Sequence, residues 1–117
     1  MNVHAQTSFA QWHAHGQHAS YVRARKSSGG LLDLLEVARP AGNMSRPALG
    51  DLVLVEDMLG NGHLRGDLGG GRIDMRTRKG ALIVVAPNFS TTVINGASHR
   101  LRSLAFPVAK WEDMLDG

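Results

Sequence analysis

HLRGDLGGGRIDMR, residues 63–76, decides how this chain is read. If Gly69-Gly70 is a two-residue turn, Leu68 faces Gly71, Asp67 faces Arg72, Gly66 faces Ile73, Arg65 faces Asp74 and Leu64 faces Met75. One face then carries Leu64, Leu68, Ile73 and Met75. The other carries two opposite-charge pairs, which add a modest increment to pairing. A three-residue turn that includes Gly71 would set Asp67 against Ile73 and lose both pairs. Charge and hydrophobicity agree on the shorter turn, so Ile73 and Met75 are expected to point inward, and Arg65, Asp67, Arg72 and Asp74 to solvent.

The same rhythm extends to both sides of this hairpin. Short apolar runs, Leu31–Val37, Leu52–Leu59, Ala81–Ala86, Thr91–Asn95 and Leu101–Phe106, alternate with turn chemistry such as Ser27-Ser28-Gly29-Gly30, Arg39-Pro40-Ala41-Gly42-Asn43, Gly60-Asn61-Gly62 and Asn95-Gly96-Ala97. Many short strands at this spacing predict a sandwich or closed antiparallel barrel. Leu31 to Ala38 is about two turns long if helical and is bounded by Gly-Gly and Arg-Pro, so it is read as a strand. One helix is expected after Pro107, where Val108, Trp111 and Leu115 fall at i, i+3 and i+7. The expected organisation is an N-terminal arm over 1–26, a barrel over 27–107 and a C-terminal helix or start of a linker over 108–117.

Composition bounds the function. The 117 residues suit one domain, since domains cluster near roughly 100–150 residues. Hydrophobic residues make up 43% and charged residues 20%, so a core is expected rather than disorder. Aromatics are only 5%, which makes the core aliphatic and argues against nucleic-acid binding by stacked aromatic rows. With no cysteine there are no disulfides, thiolate metal sites or cysteine nucleophiles. The net charge of +3 is carried by Arg23, Arg25 and Lys26, ahead of the first acid at Asp33, and the body beyond is balanced. That basic arm is a weak electrostatic footprint for DNA. The apolar run Ala81–Pro87 is too short to span a bilayer and no signal peptide is visible, so a cytoplasmic chain without membrane contact is expected.

The layout of residues 27–107 resembles a cupin barrel, a double-stranded β-helix or jelly roll, and more specifically the N-terminal effector-binding half of AraC-type transcription regulators. The resemblance rests on Arg46-Pro47-Ala48-Leu49-Gly50-Asp51 before Leu52-Val53-Leu54-Val55, the Gly69-Gly70-Gly71 turn, the basic strand Arg72–Arg78, Lys79-Gly80 opening an aliphatic strand, Ala86-Pro87-Asn88 closing it, and Arg100–Pro107 before a helix. It implies a mainly β domain that binds a small-molecule effector and is not an enzyme. It also implies a homodimer, and DNA contact only through a helix-turn-helix half for which no residues remain after Gly117. The chain is therefore expected to be the sensor half of a longer regulator or a stand-alone cupin. Metal-dependent cupins carry His-x-His, a Glu and a later His. Here Thr92 and Phe89 occupy second-motif positions and His63 is followed by Arg65, so the barrel is expected to hold no metal and no other cofactor.

The effector is expected to contact Leu64, Ile73 and Met75, and by analogy with an arm that folds over the ligand, Trp12. The arm's His13, His15 and His18 suit a zinc or nickel site completed elsewhere, packing on the barrel or a partner, or plain exposure. In Glu56-Asp57 one acid points inward if the strand continues, as a recognition group or general base; an end at Val55, the expected case, leaves both solvated. His99 is read as a turn residue, and Asn88, Ser90, Thr91 and Thr92 as a barrel mouth or a polar loop. Trp111, Met114 and Leu115 must pack on the barrel or serve as a dimer or linker contact. The competing functions are a cupin isomerase or lyase using Glu56 or an arm histidine, and a barrel that only dimerises.

Overall fold

A computed structural model describes residues 7–116. The described residues form two short helices, α1 (Phe9–Trp12) and α2 (Gly16–Tyr21), and then nine strands. These are β1 (Val22–Ser28), β2 (Leu32–Arg39), β3 (Gly42–Asn43), β4 (Asp51–Asp57), β5 (His63–Asp67), β6 (Arg72–Arg76), β7 (Leu82–Val85), β8 (Thr92–Asn95) and β9 (His99–Pro107). Helix α3 (Val108–Asp116) follows. Two antiparallel sheets, ordered β1-β2-β9-β4-β7 and β3-β8-β5-β6, face each other across an aliphatic core.

The β5–β6 hairpin has the expected register, with Asp67 opposite Arg72, Gly66 opposite Ile73, Arg65 opposite Asp74 and Leu64 opposite Met75. Asp67 closes its loop by accepting hydrogen bonds from the Gly69 and Gly71 amides at 2.8 and 3.2 Å. The inward expectation holds for Leu64, which is buried, but Met75 is 38% exposed and Ile73 half-buried. The reason lies in topology: β6 is the outermost strand of its sheet, with β5 as its single neighbour, so its apolar side chains lie at the rim of the core.

The first 26 residues do more than form an arm. Residues 1–6 lie outside the described part, but Val22–Ser28 is a strand of the larger sheet, paired with β2 from Ser28 opposite Leu32 to Val22 opposite Val37. It has no apolar run because it is an edge strand exposed on both faces. Ser8 caps α1 reciprocally with Gln11, and Phe9 and Ala10 are buried. Helix α3 begins after Pro107 as expected; the Trp111 indole donates to the Leu31 carbonyl at 2.8 Å and its ring meets Phe106 edge-on.

Period 2 assigns the inner wall. Leu35, Val37 and Arg39 on β2 lie opposite Ser103, Leu101 and His99 on β9. Val53, Val55 and Asp57 on β4 continue the same face. In the second sheet Leu64 and Gly66 lie opposite Asn95 and Val93.

Candidate functional site

Between the sheets lies a cavity of about 70 Å³. Its wall is mostly aliphatic, with Val37, Val55, Leu64, Leu68, Val85 and Leu101 among the side chains that line it. One side is closed by the arm, through Phe9, Trp12 and His13. The arm is held there by the barrel: the Phe9 amide donates to Asp51 Oδ1 at 3.1 Å, and the Gly50 amide to the Thr7 carbonyl at 3.0 Å. Asp51 is buried, and burial raises its carboxyl above the ordinary range against the opposing Phe9 hydrogen bond.

Of the residues singled out for the effector, Trp12 and Leu64 line the cavity, whereas Ile73 and Met75 are not among its lining. Trp111, Met114 and Leu115 lie on α3, with Met114 and Leu115 exposed. Three charged residues of the lining carry the chemistry: Asp57, weighed from the sequence as an inward recognition group or base, and Arg39 and Arg46, which were not singled out.

The strand β4 runs on through Asp57, so the two acids are not both solvated as expected; period 2 sends Asp57 inward and Glu56 outward. Asp57 accepts from the Leu59 and Gly60 amides at 3.0 and 2.9 Å and from the Thr77 hydroxyl. Burial alone would raise its carboxyl, but the hydrogen bonds from Gly60, Thr77 and Leu59, with the nearby His99, hold it below the usual range. Glu56 lies on the outer face beside Arg102, so the base named for an isomerase or lyase points away from the cavity.

Arg46 and Thr91 face each other in an isolated bridge, each amide donating to the other's carbonyl at 3.2 and 3.0 Å. Both side chains line the cavity. The Arg46 guanidinium lies 4.8 Å over the Phe9 ring, and burial lowers it to about 10, which leaves it charged at neutral pH. Thr91 is buried, and its hydroxyl has no hydrogen-bond partner among the described residues. It belongs to the wall of the cavity, whereas Asn88, Ser90 and Thr92 are not among the lining.

The arm histidines separate. His13 is buried, its Nδ1 3.0 Å from the Phe9 carbonyl and its ring 4.4 Å from the Phe9 ring. Burial lowers it to about 4, so it is neutral and donates to that carbonyl. His18 stacks on Trp12, and His15 is exposed. His99, expected in a turn, is a buried strand residue of β9 whose Nδ1 lies 3.0 Å from the Ala97 carbonyl. Among the described residues no three His, Asp or Glu side chains are placed to hold one metal ion. The cavity itself offers one imidazole and one carboxylate already engaged by a loop, which does not fit the ligand set of a metal-dependent cupin.

Period 2 carries Arg39 and Asp57 inward as the next members of Leu35-Val37 and Val53-Val55, a signal the sequence held. Arg46 lies in a loop and gives no periodic signal.

No family model matches the chain, and no curated protein matches it. Among solved structures it is similar in fold to an RmlC-like cupin protein from Desulfovibrio desulfuricans, at 15% identity and a TM-score of 0.52, covering 76% of this chain and 85% of that one. It is likewise similar to the plu4264 protein from Photorhabdus luminescens, at 16% identity and a TM-score of 0.56, over the full length of both. The fold is thus a mainly β, cupin-like barrel with a short C-terminal helix.

Proposed function

We infer that this domain is the small-molecule sensor of an AraC-type transcription regulator, cytoplasmic and non-enzymatic. The observation that supports this reading is the cavity wall: Phe9, Trp12 and His13 of the arm form one side of the space in which a ligand would sit. A molecule entering must touch or displace α1, so its binding energy is coupled to the arm's position. Volume sharpens the coupling, because an apolar cavity that holds benzene measures about 150 Å³. At about 70 Å³ the cavity has room for a smaller body, and movement of α1, which supplies part of its wall, would make room for a larger effector. The effector then shifts a population between docked and displaced arm, and a helix-turn-helix unit outside these residues would convert that shift into DNA binding.

A thermal-shift screen against a metabolite library, followed by hydrogen exchange over residues 7–21, tests this. At least one compound should raise the melting temperature and change exchange in the arm. A screen without hits, or a hit that the protein chemically transforms, would overturn the reading.

A further inference from the structure

Building on the sensing reading, we propose that the ligand is an organic anion, a carboxylate on an apolar body, whose head group is held by Arg46 together with the Thr91 hydroxyl. The bridge between these residues is a hydrogen-bonded antiparallel pair, which places both side chains on one side of the sheet, and that side is the cavity. Thr91 is 2% exposed, and its hydroxyl is unsatisfied among the described residues. A buried hydroxyl left in that state is costly unless something else completes it.

Arg46 makes the same demand more strongly. Its guanidinium offers five donors and lies over the face of Phe9; the buried Asp51 carboxylate, outside the cavity lining, supports its charge from a distance, and no carboxylate of the described residues is within ion-pairing distance. Arg39 lines the same cavity over the Tyr21 ring at 5.0 Å, again without a carboxylate within ion-pairing distance among the described residues. Asp57, the acid in the lining, is engaged by Leu59, Gly60 and Thr77 and does not neutralise the two arginines. Two cations beside one engaged carboxylate leave net positive charge in a wall that is otherwise aliphatic. A planar guanidinium fork matches the two oxygens of a carboxylate, and the aliphatic wall matches a hydrocarbon body.

The test is calorimetric titration of the full chain at neutral pH with the straight-chain monocarboxylates from acetate to octanoate, each matched by the 1-alkanol of the same length. Carboxylates should bind about tenfold or more tightly than their alkanols, since a hydrogen bond to a charged group exceeds the 1.4 kcal/mol of a decade. Arg46→Gln should reduce carboxylate affinity about tenfold and leave alkanol affinity within about twofold. Thr91→Val, which keeps the side-chain shape, should weaken carboxylates by a smaller factor and serves if the Arg46 variant does not fold. Alkanols binding as tightly as carboxylates, or carboxylate affinity unmoved by both substitutions, would overturn the anion assignment while leaving the sensing reading in place. Should neither series bind and the metabolite screen also return nothing, it is the sensing reading that falls, and the anion assignment with it.

Discussion

At the scale of single residues, His13 ties the arm to solution pH. It is 5% exposed, and burial lowers it from 6.5 to about 4; the Phe9 carbonyl works against this drop, while Arg46, Arg39 and His18 deepen it. The folded chain therefore resists a proton that the unfolded chain accepts at its ordinary value. The stability this neutral imidazole allows is complete above pH 6.5 and is lost progressively as the pH falls toward 4. One proton corresponds to about 1.4 kcal/mol per pH unit, so acidification from pH 6.5 to 5 should cost up to about 2 kcal/mol from this residue. Urea titrations at pH 7 and 5 measure it. His99 and His18 are lowered as well, each first by burial, so they add slope of the same sign. His13→Asn keeps a donor for the Phe9 carbonyl but cannot titrate, and its stability should fall less between the two pH values. An unchanged slope would mean that His13 protonates freely in the folded state.

At the scale of strands, β5 is held on both sides, hydrogen-bonded to β6 on one and to β8 on the other. Gly66 sits in its middle at φ +145, and a Cβ there would fall 1.7 Å from the Thr92 carbonyl oxygen. Replacement by Ala has to distort β5 or push β8 away, and backbone strain of this kind alone costs about 1–3 kcal/mol. We expect Gly66→Ala to lose at least about 2 kcal/mol in chemical denaturation, against under about 0.5 kcal/mol for Gly70→Ala in the open loop. A Gly66→Ala protein as stable as the Gly70→Ala protein would show that the β5–β8 contact is looser than described. Most of this architecture was legible in the sequence. Opposed charges set the hairpin register, and seven apolar runs became β2, β4, β5, β6, β7, β8 and β9. What escaped has physical causes. Strand β1 escaped because an edge strand exposed on both faces needs no apolar alternation, and Met75 because strand periodicity gives a side chain's direction without saying whether an opposing layer covers it. The polar half of the site was readable in part: Arg39 and Asp57 extend alternations already visible, whereas the pairing of Arg46 with Thr91 spans 45 positions and exists only once the barrel closes.

At the scale of the whole molecule, one half of the larger sheet's outer face and the last helix are left apolar, while the other half carries Glu36, Arg100, Arg102 and Glu56 in ion pairs. On the larger sheet Leu34 lies opposite Leu104, Leu104 opposite Leu54, and Leu54 opposite Val84. These point away from the core, since their neighbours Leu35, Ala105, Val53 and Val85 are buried in it. At the sheet edge Leu82 is 72% exposed, and on α3 Leu115 is 83% exposed. A nine-residue helix does not stand alone, and α3 is anchored through Trp111 while Met114 and Leu115 find no cover. Contiguous apolar patches beyond a few hundred Å² are rare on monomers and mark interfaces. The proposed occupant is a second copy of the chain, because a two-fold axis through α3 buries the same stripe from both sides with a single surface. Sedimentation velocity should then show a species of twice the 12.6 kDa chain mass. The double substitution Met114→Glu and Leu115→Glu places like charges across that axis and should return the chain to 12.6 kDa as a folded monomer, because neither side chain supports the barrel, with a melting temperature that no longer rises with protein concentration. A parent chain that sediments at 12.6 kDa at every concentration would remove the dimer, and a dimer that survives both glutamates would move its axis away from α3.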